Sequence, residues 1–208
     1  MDLLKKGMLF LFAATLFVAC SDDDDDVVVT PEEPVVVNNH PLADTSWKFK
    51  SAAGAAGVGP GKGDGSWWSN SEADALTDRA CLFDDTYTFN ADYSFVNSQG
   101  SDTWLDKRIA GQATALAGTA NENEGCGAPV APHNGSNAAT WTADSTTFTI
   151  VGEGAYFGLA VPHNTAEDGD PVDDTIVYEF EIVGDELIVG LTGFNGGAYW
   201  NYTMVKAD

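Results

Sequence analysis

The stretch TIVYEFEIVGDELIVGL, residues 175–191, leaves few options for the fold. Ile176, Tyr178, Phe180 and Ile182 alternate with residues that include Glu179 and Glu181. A helix would scatter that pattern around its axis, whereas a strand with one buried and one wet face requires it. Gly184 and Asp185 interrupt the run, and Leu187, Val189 and Leu191 then resume it, so the segment reads as a β-hairpin. The pattern recurs. TSWKFK (45–50) puts Trp47 and Phe49 on one face. TYTFNADYSFVN (86–97) is strand, turn and strand, with Tyr87, Phe89 and Phe95 in phase. ATWTADSTTFTIVG (139–152) carries Trp141 in one arm and Phe148 and Ile150 in the other, and GAYWNYTMVK (197–206) has Trp200, Tyr202 and Met204 in phase.

Seven or eight such strands in consecutive hairpins predict an all-β domain built as an antiparallel meander. Pairing of the Trp47 strand with the last aromatic strand would close a barrel, in the manner of lipocalin-like domains; a two-sheet β-sandwich satisfies the same pattern. Helix signals are sparse. SEADALTDRA (71–80) can form two turns behind Ser71, and the Ala-rich stretch 109–120 is broken by Gly111 and Gly118. The segments 52–81 and 98–138 carry almost no strand signal, and loops of that length in one domain are functional or tied down.

The domain is preceded by segments of another kind. Lys5 and Lys6 followed by an apolar run from Gly7 to Ala19 have the form of a secretory signal, too short to span a membrane. The run ends in LFVAC, so residues 1–19 read as a signal peptide and Cys20 resembles the lipidated cysteine of a bacterial lipoprotein, although Leu16 sits one place earlier than the usual pattern. SDDDDD (21–26) must stay solvated, and Pro31, Pro34 and Pro41 favour an extended linker, making residues 20–41 a lipidated acidic tether. Residues 42–208 are then a single domain, long enough for one core.

Charge narrows the partners. Without the signal peptide the chain holds 31 acidic and seven basic side chains, a net charge of −24. Such a surface repels nucleic acid and anionic lipid, and argues equally against sulfated or uronate polymers; a neutral ligand is the easier partner. With Cys20 lipidated, Cys81 and Cys126 remain, and two cysteines in an exported chain read as a disulfide joining the two long loop segments.

Three tryptophans, Trp47, Trp141 and Trp200, lie in phase on strands and read as core, whereas Trp67, Trp68 and Trp104 lie in the long loops. Trp67 and Trp68 are adjacent, so in extended chain they face opposite ways, one packing on the core and the other exposed. A flat indole in water is a platform for the apolar face of a sugar, and Asp64, Ser66, Ser69 and Asn70 could bond its hydroxyls. His133 sits on a Pro/Gly-rich loop, where a backbone-bonded role is the plainer reading. AEDGDPVDD (166–174) has five carboxylates and could ligate calcium, yet it lacks the spacing of a calcium loop and reads first as a solvated acidic loop. No zinc spacing, nucleophile elbow, metalloprotease motif or phosphate-binding loop is present. Glu179 and Glu181 alternate outward on an ordinary strand, and Asp84 and Asp85 next to Arg79 read as an ion pair at a strand start.

GVGPGKGDGSWWSN (57–70), RACLFDDTYTFNAD (79–92), GCGAPVAPHNGS (125–136) and GEGAYFGLAVP (152–162), in this order, resemble a module of Bacteroidota surface lipoproteins from glycan-utilisation loci, found beside family-16 glycoside hydrolases and PKD-type domains. The likeness spans residues 45–206. It implies a non-catalytic role in binding a neutral polysaccharide, a β-glucan such as laminarin, at the outer membrane and facing the cell exterior. Partner enzymes and an uptake transporter would act on the same polymer. It carries Asp64, Trp67, Trp68, Asn70 and His133 over at matching positions. Two positions depart: Tyr93 stands where the family's hairpin turn has Gly, and a Lys that follows the GAYxGLP-like stretch is missing after Leu159. The E-x-D-x-x-E signature of family-16 enzymes is absent. Two alternatives stay open: a lipocalin-like pocket for a small apolar ligand, and a glycoside hydrolase with an unrecognised site.

Overall fold

The alternating segments do become strands, and their order in space follows their order in sequence. The computed structural model describes residues 38–109, 111–164, 174–193 and 197–208. The expected signal peptide, Cys20 and most of the acidic tether lie outside these residues, as does the acidic loop 166–174 apart from Asp174. Among the described residues eight strands form an antiparallel meander: β1 (Thr45–Phe49), β4 (Thr86–Phe89), β5 (Ser94–Ser98), β8 (Ala139–Ala143), β9 (Thr147–Val151), β10 (Thr175–Val183), β11 (Glu186–Thr192) and β12 (Tyr199–Lys206). β12 returns to β1, pairing Trp47 with Lys206 and Phe49 with Met204, so the sheet closes on itself. The fold is a lipocalin-like β-barrel, and the edges that a sandwich would leave open are absent from these eight strands.

The inward residues are too large to leave a hollow. Trp47, Trp141, Tyr87, Tyr178, Tyr202, Phe49, Phe89 and Phe148 are all fully buried. They interlock edge to face, as Phe89 does with Trp141 at 5.1 Å and with Phe148 at 5.2 Å. An eight-stranded barrel is about wide enough for its own side chains, and here they fill it. A pocket for a small apolar ligand inside the barrel therefore has no room.

The two ends of the barrel differ. At one end short turns join β4 to β5, β8 to β9 and β10 to β11. His40 and Leu42 close that end. The His40 ring meets Trp141 and Phe180 edge-on at 5.8 Å each, and Leu42 is fully buried. All the long connections lie at the opposite end. One of them, residues 152–160, folds back as a plug. Phe157 inserts among Tyr87, Phe89, Phe148 and Tyr178, and its amide donates to Tyr178 Oη at 2.9 Å. Tyr87 Oη donates to the Gly158 carbonyl at 2.7 Å. These bonds satisfy backbone groups that would otherwise be buried unpaired. Gly158 has φ +83°, and a Cβ there would lie 2.6 Å from the Tyr202 ring, so only glycine lets the plug sit this deep.

Where β1 ends, β2 (Ala56–Gly59) takes over the same edge of β12, pairing Ala56 with Tyr202 and Val58 with Trp200; β3 (Trp68–Ser69) then pairs with β2. A second small sheet, β6 (Thr103–Asp106) with β7 (Glu124–Gly127), covers the same end of the barrel. The expected helix over 71–80 appears as a π-helical turn, Asp74–Asp78, followed by a short helix α1 (Ala80–Phe83). The Ala-rich stretch gives only α2 (Gln112–Leu116), bounded by Gly111 at φ +81° and Gly118 at φ +79°. The disulfide Cys81–Cys126 ties α1 to β7, joining the two long segments.

Candidate functional site

Residues directly opposite in neighbouring antiparallel strands share a face, and here this rule builds a cleft. Trp200 on β12 faces Val58 on β2, and Val58 faces Trp68 on β3, so two indoles and a valine form one row at the looped end of the barrel. Trp104 on β6 joins them from the second sheet. It pairs with Cys126, and the disulfide fixes that pair beside α1. Trp68, Trp104 and Trp200 are half-buried: each packs against the core with one part and lines the cleft with another. The cleft has a volume of about 280 Å³, and Leu159 and Val161, from the end of the plug and the short helix α3 (Val161–Asn164), form its apolar floor.

The chain has two arginines, and both line this cleft. Arg79 lies over two indoles, its guanidinium carbon 4.0 Å from the Trp104 ring centre and 5.0 Å from that of Trp68. Stacking of this kind contributes about 0.5–2 kcal/mol and fixes both rings in place. Arg79 Nη2 donates to Glu124 at 3.0 Å, and its Nε lies 3.4 Å from Asp74. Hydrogen bonds from Ser71, with the charge of Arg79 adding to them, hold the Asp74 carboxyl below the usual range. Arg108 clamps Asp106 with two nitrogens, Nε at 2.9 Å from Oδ1 and Nη2 at 2.5 Å from Oδ2. Asp106 and Glu124 are cross-strand partners in the β6–β7 register, so two carboxylates and two guanidinium groups meet in one wall; the charges lining the cleft cancel, and Asp74 adds a third carboxylate on Arg79. The arrangement offers flat apolar rings, fixed donors and acceptors, and no excess positive charge.

The nominated residues divide by depth. Trp68 and Trp104 line the cleft. Trp67 points the other way and is 58% exposed. Asp64 is half-buried, its Oδ1 accepting from the Ser66 amide at 2.7 Å. Asn70 is corrected from a ligand contact to a structural residue. It is 2% exposed, its side chain accepts from the Ala56 amide at 2.7 Å, and its Nδ2 donates to the carbonyls of Ala52 and Ser71. His133 is likewise buried, at 1% exposure, beside Tyr156, and cannot meet a ligand from solvent. Arg79 pairs with Asp74 and Glu124, not with Asp84 or Asp85; Asp85 turns inward and accepts from Thr103 Oγ1 at 2.6 Å.

Trp200 is the residue that strand phase misplaces. Its direction is inward, as expected, but it stands at the mouth of the barrel, where inward means toward the cleft. Arg79, Arg108, Asp106 and Glu124 carried no sequence signal beyond the scarcity of arginine in an acidic chain.

Two other features are set aside on their chemistry. A larger groove of about 1050 Å³ runs past His40, Lys62 and Glu181, but no tryptophan lines it. Asp102 approaches Cys81 and Cys126, yet both sulfurs are bonded to each other and offer no thiolate to a metal. No protein-family model matches the chain, and no curated protein matches its sequence.

Proposed function

We propose that this chain is a non-catalytic, lipid-anchored surface protein that holds a neutral polysaccharide of the β-glucan class in the cleft of Trp68, Trp104 and Trp200. Cys20 would anchor it in the outer membrane, and glycoside hydrolases and an uptake transporter would act on the polymer it retains. The observation that carries this reading is the meeting of three half-buried indoles with two arginines and two carboxylates whose charges cancel. Pyranose rings are apolar on their faces and polar around their rims, so stacked indoles bind the faces while fixed polar groups meet the hydroxyls. An anionic polymer gains nothing from a cleft without excess positive charge on a strongly acidic molecule.

Affinity gels containing laminarin and other neutral or charged glycans test the reading. Retardation by a neutral glucan, lost stepwise in Trp68→Ala, Trp104→Ala and Trp200→Ala, is the expected result. Equal retardation of all three variants would refute it. Asp106 and Glu124 stand opposite one another, as paired carboxylates of a glycosidase can, but each is engaged by an arginine. Steady release of reducing ends from laminarin, abolished by Glu124→Gln, would replace binding with hydrolysis as the function.

A further inference from the structure

The cleft uses Trp68 and leaves Trp67 unexplained. Trp67 has the largest exposed fraction of any large hydrophobic side chain among the described residues, at 58%. Exposure of this kind on a loose loop would mean little, but the connector that carries Trp67 is held firmly. The Trp67 amide donates to the Val58 carbonyl at 3.1 Å, and the Ser66 amide donates to Asp64 Oδ1 at 2.7 Å. Asn201 of β12 grips the same connector from below, accepting from the Gly63 amide at 2.6 Å and donating to the Asp64 carbonyl at 2.9 Å. Gly59 packs so closely on Asp64 that a Cβ would lie 2.5 Å from its Oδ1. The backbone thus fixes an indole in water with a carboxylate three residues before it, and hydrogen bonds from Ser66 hold that carboxyl below its usual range.

We infer that Trp67 is a second saccharide platform, reached by the same polymer chain after it leaves the cleft. The inference rests on the proposed function. Its independent support is continuity: Trp67 and Trp68 are consecutive, their α-carbons about 3.8 Å apart, with Trp67 exposed just before β3 and Trp68 half-buried at its start. A polymer lying on Trp68 and extending past the edge strand β3 meets the indole of Trp67. Short oligosaccharides fill the cleft alone, whereas longer ones also reach Trp67 and gain from the linkage. The ligand is therefore a polymer, and affinity grows with its length beyond what the cleft holds.

Titration calorimetry with laminarin oligosaccharides of increasing length, and with laminarin itself, separates the cases. Trp67→Ala removes an exposed side chain, and an unchanged thermal midpoint checks the fold. The expected result is that Trp67→Ala binds the shortest bound oligosaccharide as the wild type does. On laminarin it loses about 5-fold to 150-fold, the range that stacking one ring spans. Equal affinity of wild type and Trp67→Ala at every length, with Trp68→Ala still defective, overturns the second platform and leaves the cleft standing. Failure of the wild type to bind any length, here and on the wider glycan panel, removes the proposed function itself.

Discussion

Replacing Asp85 with Asn should make the protein more stable, and increasingly so as pH rises. Asp85 is 1% exposed at the start of β4, its Oδ2 accepts from Thr103 Oγ1 at 2.6 Å, and its Oδ1 has no partner. Burial away from water pushes its pKa up from 3.8 to about 8; the Thr103 hydroxyl opposes this, and the negative charges of Asp84 and Asp102 add to it. The folded state thus keeps a proton that the unfolded chain gives up near pH 4. Between about pH 4 and pH 8 the folded state binds more protons than the unfolded state, so stability falls as pH rises, by up to about 1.4 kcal/mol per unit, and levels off above about pH 8. From pH 5 to pH 8 the loss assigned to this group is about 3.5 kcal/mol. Asn carries no such proton and can accept the same Thr103 bond. Other carboxyls act in the opposite sense: Asp144, brought down to about 2 by the amides of Thr146 and Thr147, favours the fold above pH 4. The wild-type curve alone mixes these effects, and the difference between wild type and Asp85→Asn isolates Asp85. Urea denaturation followed by tryptophan fluorescence at pH 5, 6, 7 and 8 measures that difference. A difference that stays within about 1 kcal/mol across this range would refute the reasoning, because the carboxyl would then titrate alike in both states.

Three other outcomes follow from the same geometry. Cys81→Ser with Cys126→Ser opens a 45-residue loop and should reduce stability by about 4 kcal/mol on the chain-entropy relation, measurable as a shifted denaturation midpoint. The same variant should also weaken glucan retention, since Trp104 is paired with Cys126. Gly158→Ala should be among the most destabilising single methyl additions, costing about 3 kcal/mol or preventing folding, because φ +83° and the Tyr202 ring both oppose it; circular dichroism melting reads this directly. Tyr93→Gly should leave stability unchanged or raise it by about 1 kcal/mol: Tyr93 has φ +67°, which glycine adopts without strain, and what is lost is a half-exposed ring contact with Trp141. A thermal midpoint several degrees lower would show that the ring contact outweighs the backbone term.

The eight barrel strands were legible because each has one face in a thick apolar core and one in water, and alternation is the direct record of that. β2 escaped because all four of its residues, Ala56–Gly59, are buried, so nothing alternates. β3 has two residues, too few to show a period. β6 and β7 are short and lie on the barrel's end, so neighbours in space rather than in sequence decide their burial. The candidate site was partly legible for the same reason. Adjacent tryptophans in extended chain had to split between two faces, and Trp67 and Trp68 do. Phase gives a side chain's direction but not its height along the barrel axis, which is why Trp200 reads as core although it lines the cleft. Depth below the surface was hidden too. Asn70 and His133 look like available polar groups in a loop, but the loops that carry them are folded inward.

The last strand also sets when the candidate cleft can form. β12 touches β11 on one side and both β1 and β2 on the other, and the pairs with β1 and β2 join residues 140 to 159 positions apart in the chain. Contacts of such long range form slowly, and the loop entropy they must overcome is large. Until residues 199–206 are available the cylinder stays an open ribbon, Val58 lacks Trp200, and the connector bearing Trp67 lacks the grip of Asn201. Closure of the barrel and completion of the cleft are consequently one event: without residues 199–206 the chain lacks Trp200, and the row it forms with Val58 and Trp68 has no third member.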